Sequence, residues 1–322
     1  MSIVATEESI LYDNLNTSTL GMQIGLQENY FDHHPLQKFL YSKRKMATGG
    51  RRIELDVRIG KEATGGVNGM APQPSEDRQV LTKAFFDWGK LYAKAAITRD
   101  EMEDNTGSLA NISLVKTKYT GMEESLKEDF SSQLFDDGVV AGFPKPIVGL
   151  GAAVSATPTT GIYGGIDRAD VSEWRNGVLS GVKLATYNWA YLAADMKHMA
   201  SSPADQADMI IMDKVIYNSL YALSQGKQQI QIGNTPQHLI DMGFTGLQCE
   251  GAPVMWDNDV PTGYIYFLRM EYVSLYVSSQ SAFKFEPWIQ MEDRGAKSQT
   301  LYLTTQLVVE RPNKQSVRTG VV

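Results

Sequence analysis

The chain of 322 residues has one cysteine, Cys249, so no disulfide can form within it. A chain of this size without disulfides suits a reducing compartment. Histidine is scarce as well. His33, His34, His198 and His238 include no pair at helical metal spacing, and a single thiol cannot complete a structural zinc site. Long apolar runs are missing too. The longest, 139–154, contains Pro144, Lys145 and Pro146 and cannot cross a bilayer as a helix. The first residues carry neither the basic segment nor the apolar core of a signal peptide, so no membrane partner is expected. Positive charge is outnumbered: 30 Lys and Arg face 37 Asp and Glu, a net charge of −7. That excludes a surface that coats nucleic acid throughout, and leaves room for a local basic patch. What is present is ordinary globular material. A hydrophobic share of 43% and a charged share of 21% support one or two compact units with a real core.

Residues 1–47 are weakly periodic and read as an extended arm, in which Leu36, Phe39, Leu40 and Tyr41 can form one helical turn. Such an arm buries little of itself and is expected to lie on something else. After Thr48-Gly49-Gly50 comes the clearest strand. Ile53, Leu55, Val57 and Ile59 alternate with Arg52, Glu54, Asp56 and Arg58, giving one apolar and one charged face. Gly65-Gly66, Gly69, Pro72 and Pro74 mark a loop over 60–77. A second alternating run places Leu91, Ala93, Ala95 and Ile97 on one face. The two runs predict a long hairpin over 48–98, with a loop long enough to imply function or a partner contact.

Thr98-Arg99-Asp100-Glu101 reads as a helix start. Val115, Tyr119, Met122, Leu126, Phe130 and Leu134 then recur at steps of three and four. That spacing predicts an amphipathic helix of about 25 residues, ended near Gly138. Residues 142–165 are rich in Gly, Pro and Thr. Helices are expected over 184–199 and 203–224. Aromatic and branched runs at 264–277 and 301–310 predict terminal strands, closed by Arg311-Pro312-Asn313.

A search for chemistry assembles no catalytic set. No Gly-x-x-x-x-Gly-Lys-Ser/Thr phosphate loop exists. Gly149-Leu150-Gly151 half-resembles a dinucleotide turn, without the third glycine or a preceding strand. Asp32-His33-His34 reads as a solvated or interfacial group before it reads as a metal site. Cys249 beside Glu250 reads as an inert thiol. Asp257-Asn258-Asp259 before Pro261 reads as a turn. Tyr264, Tyr266, Tyr272 and Tyr276 read as packing residues. Lys43-Arg44-Lys45 with Arg51-Arg52 places five positive charges in ten residues. These suit ion pairs on a protein interface or a solvated face better than a nucleic-acid contact. No cofactor and no metal is expected, and the reading points to structure rather than turnover.

The order of arm, long hairpin, long helix, mixed middle and terminal strands resembles the major capsid proteins of tailed bacteriophages, which have the HK97-type capsid fold. Ala47-Thr48-Gly49-Gly50-Arg51-Arg52-Ile53-Glu54 resembles one subset of them, as does Gly161-Ile162-Tyr163-Gly164-Gly165-Ile166-Asp167-Arg168 with Trp174-Arg175. The resemblance implies an α+β chain in five parts: an N-terminal arm at 1–47, an E-loop hairpin at 48–98, and a P-domain with its spine helix at 99–145. An A-domain follows at 146–262 and returning P-domain strands at 263–322.

It further implies a non-enzymatic shell protein that assembles into hexamers and pentamers around phage DNA. The expected partners are other copies of the chain, a separate scaffolding protein, a portal and a candidate decoration protein, with only non-specific proximity to packaged double-stranded DNA. The expected location is the virion capsid, assembled in the bacterial host cytoplasm. With fewer than 50 residues ahead of the hairpin and Met1 present, no long propeptide is expected. The type member crosslinks a hairpin lysine to a neighbour. Lys61 stands near the loop, but no partner or carboxylate catalyst can be assigned, so that reaction is not carried over to this chain. The residues expected to pair between subunits are Arg51, Arg52, Glu54, Asp56 and Arg58. The alternatives are an encapsulin-like compartment and an α/β enzyme that uses the glycine-rich segment 142–165.

Overall fold

The computed structural model describes residues 34–60, 62, 69, 80–104, 108–225, 247–291 and 295–321. The expectations for residues 1–33, most of the hairpin loop, Lys61 and His238 lie outside them.

The long helix runs Ser108–Phe135. All six residues of the expected stripe are buried, from Val115 at 7% exposed to Leu134 at 0%. A separate short helix upstream, Arg99–Asp104, opens on a capping box. Thr98 Oγ1 accepts from the Glu101 backbone N–H and Glu101 Oε2 accepts from the Thr98 N–H, so two orphan donors are satisfied reciprocally.

Two six-stranded sheets organise the rest. In the first, Ala296–Val309 is the hub. It pairs antiparallel with Gly89–Thr98, Val273–Ser278, Lys284–Phe285 and Ile289–Gln290, and Lys45–Ala47 adds to the edge of Val273–Ser278 in parallel. The Leu91, Ala93, Ala95, Ile97 face turns inward, while Lys90, Tyr92 and Lys94 are exposed. Tyr119 of the long helix meets Phe285 edge to face at 5.0 Å, so the terminal strands return to that helix.

The second sheet has the order Gly177–Ser180, Ser316–Thr319, Ile265–Leu268, Met209–Met212, Ala252–Trp256, Gln248–Cys249. Every residue of Met209–Met212 and Ile265–Leu268 is buried. Met209, Ile211, Tyr266 and Leu268 join the core under the long helix, whereas Ile210, Met212, Ile265 and Phe267 join a second core with Leu192, Ile216 and Leu220.

Two expectations are corrected here. Residues 203–224 do not form one helix: a strand, Met209–Met212, precedes the helix Lys214–Gln225. Four consecutive apolar residues suit a strand buried on both faces as well as a helix turn. The run 264–277 is two strands in different sheets, broken by a single turn at Met270–Tyr272. The run 301–310 does close at Arg311-Pro312-Asn313, and Ser316–Thr319 then follows as a strand of the second sheet.

Buried glutamines hold the irregular segments. Gln133 Oε1 accepts from the Ile147 N–H at 2.9 Å, and Gln315 bonds both backbone groups of Arg269. Gly149 and Gly151 belong to this packing, not to a phosphate turn. A Cβ on Gly149 would stand 2.3 Å from the Gln133 carbonyl oxygen, and one on Gly151 2.8 Å from the Phe135 carbonyl oxygen. Only glycine allows the chain to pass this close to the end of the long helix.

Candidate assembly surface

The hairpin pairs Arg52–Arg58 with Leu81–Asp87 in antiparallel register, Arg52 opposite Asp87 and Arg58 opposite Leu81. Its second strand is therefore not the alternating run at 89–98, which belongs to the first sheet. Ile53, Val57, Ala84 and Phe86 are buried on one face, so the base of the hairpin packs within its own subunit. The opposite face is exposed. It carries Arg52, Glu54, Asp56 and Arg58, and between them Leu81 at 67% and Phe85 at 40% exposure. The structure thus brings four of the five expected residues onto one face, with Arg51 exposed just before the strand.

Two of those charges already have partners in the hairpin. Arg52 Nε lies 2.8 Å from Asp87 Oδ1 and Lys83 Nζ 3.5 Å from Glu54 Oε2. Arg58 Nε donates to the Gly60 carbonyl at 3.1 Å. Exposed pairs like these contribute about 0–1 kcal/mol each. They leave the charges available to a partner surface while fixing their register. Leu81 and Phe85 share this face with Lys83 and Asp87, so apolar and charged residues alternate along it and leave no apolar stripe to read in the sequence.

The Gly161–Arg168 motif explains how the hairpin is held. Ile162–Tyr163 and Ile166–Asp167 form a two-residue hairpin around Gly164 and Gly165, with φ of +61° and +76°. Positive φ at both central residues is the signature of the turn that matches strand twist. Gly164 O accepts from the Phe85 N–H at 2.8 Å, and a Cβ on Gly164 would come within 2.8 Å of the Phe86 ring. Phe86 meets Tyr163 edge to face at 5.1 Å. Tyr163 is buried: its carbonyl accepts from Trp174 Nε1 and its hydroxyl accepts from the Val309 N–H, both at 2.9 Å. Arg168 lies over the same ring and donates to the Ala153 carbonyl. Burial pushes the Tyr163 hydroxyl well above its ordinary range, so it stays neutral.

The basic run beside the arm packs on its own subunit. Leu36, Phe39, Leu40 and Tyr41 of the helix Pro35–Ser42 are buried, which corrects the reading of this part of the arm as self-unburied. Lys43 Nζ stacks on Phe39 at 4.3 Å, Arg44 on Tyr41 at 4.2 Å, and Lys45 Nζ lies 2.9 Å from Glu310 Oε1. Next to this helix, Lys43, Lys45 and Arg269 line a cleft of about 640 Å³ together with Asp208 and Glu271. At its start, His34 Nδ1 lies 3.3 Å from Asp257 Oδ1 and 2.8 Å from Ser131 Oγ. The hydrogen bond to Asp257 raises the His34 pKa above its ordinary value, against the opposing effect of burial. Asp257 and Asp259 do form the expected turn, with the Asp259 N–H donating to Asp257 Oδ1 at 3.2 Å. Their meeting with His34 spans 223 residues and left no local spacing to read.

The remaining candidates disperse. Cys249 is buried and burial pushes its thiol up to about 11, far from a nucleophile's range. Tyr264, Tyr266, Tyr272 and Tyr276 form no stacking platform, and Tyr266 is 1% exposed. Among the described residues no helix is long and apolar enough to cross a membrane.

No protein-family model matches the chain, and no curated protein is significantly similar to it in sequence. Solved structures are similar in shape. The capsid of cyanophage A-1(L) superposes with a TM-score of 0.72 at 17% identity, over 91% of this chain and 94% of that one. This chain has the HK97-type capsid fold. The capsid of Myoviridae phage XM1 gives 0.56 at 10% identity over 88% and 92% of the two chains. The SrpI encapsulin of Synechococcus elongatus PCC 7942 gives 0.53 at 9% identity over 88% and 87%. The likeness to the cyanophage capsid covers 91% of this chain.

Proposed function

We propose that the chain is a major capsid protein that assembles into hexamers and pentamers of an icosahedral shell around phage DNA, and that it is not an enzyme. The observation that carries this reading is the full-length likeness to a cyanophage capsid at a TM-score of 0.72. The exposed hairpin face supports it: charges at fixed register around Leu81 and Phe85 suit contact with a second copy. In this reading the E-loop is the hairpin within 48–98. The P-domain holds the long helix and the first sheet, including 89–98, and the A-domain is built on the second sheet, including 265–268 and 316–319. Scaffolding, portal and decoration proteins are the proposed partners, the bacterial cytoplasm the place of assembly. The acidic balance keeps the wall from gripping packaged DNA tightly.

The test is assembly of the expressed chain, alone and with its neighbouring gene products, followed by size exclusion and electron microscopy. Capsomers, tubes or shells are expected. A chain that stays monomeric under every condition would overturn the reading. The encapsulin likeness at 0.53 keeps one alternative open: shells loaded with a cargo protein instead of DNA would move the assignment to a compartment protein.

A further inference from the structure

The most completely built cluster of side chains away from the hairpin is His34 with Asp257 and Asp259. His34 Nδ1 lies 3.3 Å from Asp257 Oδ1 and 3.4 Å from Asp259 Oδ2. The donor atoms of the three residues all lie within 4.8 Å of one another. Asp257 is 2% exposed, and its Oδ2 is buried without a hydrogen-bond partner. Asp259 Oδ2, the atom that faces the imidazole, is likewise buried without a hydrogen-bond partner.

We propose that His34, Asp257 and Asp259 bind one divalent transition ion of the Zn²⁺ class. One imidazole nitrogen with two carboxylate oxygens is a donor set for such an ion, whereas Ca²⁺ and Mg²⁺ favour oxygen alone. The spacing agrees. Bonds of about 2.0–2.2 Å in a tetrahedral site separate neighbouring ligand atoms by about 3.3–3.6 Å. The two separations from His34 Nδ1 are 3.3 and 3.4 Å. A bare ion pair between His34 and Asp257 accounts for the first distance. It leaves Asp259 Oδ2, 3.4 Å from His34 Nδ1, buried without a hydrogen-bond partner, which costs free energy that a cation bound there would remove. Ser131, 1% exposed with its Oγ 2.8 Å from His34 Nδ1, supplies a neutral oxygen beside the three donors.

The location gives the ion a structural task. His34 precedes the helix Pro35–Ser42, Ser131 belongs to the long helix, and Asp257 and Asp259 follow the strand Ala252–Trp256 of the second sheet. One ion would staple the root of the arm to both.

The experiment uses the full-length subunit, stripped with a chelator and dialysed. Zn²⁺ is titrated by calorimetry, Co²⁺ by its visible absorption as a report on coordination number, and melting is followed with and without Zn²⁺. One ion per subunit, a four- or five-coordinate Co²⁺ spectrum and a raised melting midpoint are expected. Asp259→Asn, on the more exposed ligand, should fold as the parent does and weaken binding at least about tenfold. His34→Gln should abolish the Co²⁺ band. Absence of saturable binding at one ion per subunit overturns the proposal whatever the variants do. So does binding that both variants leave unchanged, which would locate the ion elsewhere. Neither result depends on whether shells form, so the assembly reading is tested separately.

Discussion

The two sheets of this molecule obey different rules. In the first, Gly89–Thr98 turns one face inward and the other outward and alternates buried and exposed residues almost without a break, while the hub Ala296–Val309 is buried over most of its length. The second is buried on both faces, and its central strands Met209–Met212 and Ile265–Leu268 contain no exposed residue at all. A sheet with a wet face advertises itself by period two; a sheet between two cores does not. The difference also divides labour. The outward face of the first sheet and the hairpin beside it hold exposed Tyr92, Leu81 and Phe85, whereas the second sheet joins two cores inside the subunit.

The sharpest way to test that division is to place the same carboxylate on each sheet. Ile211→Asp, in a strand buried on both faces, should cost more than about 4 kcal/mol and yield no soluble folded subunit. Tyr92→Asp, on the wet face, should leave circular dichroism and melting nearly unchanged and weaken assembly instead. If both variants fold, the second sheet is not the internal core described here.

Next in size is the packing under the first sheet. Leu126→Ala, at a position 1% exposed on the long helix, should destabilise the subunit by about 2–5 kcal/mol in denaturant titration. Leu126→Asp should prevent folding altogether, and soluble helical protein from it would put Leu126 on the wrong face.

Gly164→Ala should cost about 1–3 kcal/mol, since φ is +61° and the new Cβ would meet Phe86 at 2.8 Å. The loss should be seen as faster hydrogen exchange across 52–58 and 81–87, with the second sheet unaffected. Uniform loosening of both sheets would mean that the hairpin is not a separate unit.

The smallest effect on the subunit, and the largest on the shell, should come from Arg52→Glu with Arg58→Glu. Removal of exposed pairs changes stability by about 1 kcal/mol or less. Assembly should nevertheless fail, because register and charge complementarity act between subunits. Normal shells from the double variant would exclude this face from the interface.

Much of this was legible beforehand for identifiable reasons. The stripe from Val115 to Leu134 obeys helix spacing, and the charges at 52–58 obey strand spacing, so local pattern sufficed. The partner of the charged strand was misread because Leu81–Asp87 mixes Phe85, outward, with Phe86, inward, and blurs its own period. Met209–Met212 was taken into a helix because a solid apolar run fits either element. The cluster of His34, Asp257 and Asp259 was illegible because nothing local in the chain records a meeting 223 residues apart.

The strand Ala296–Val309 has a consequence for the timing of folding. Thr98 pairs with Ala296 and Gly89 with Thr305, so the hub of the first sheet is joined across about 200 residues of chain. In the second sheet, Ser316–Thr319 sits between Gly177–Ser180 and Ile265–Leu268. Neither sheet can close until residues 296–319 have left the ribosome, because closure of such long loops must precede the contacts that reward it. The hairpin, tied at its base to Tyr163 and through it to Val309, cannot be set at its final angle any sooner. Synthesis order thereby acts as a clock: a half-made chain has no finished surface with which to recruit its neighbours.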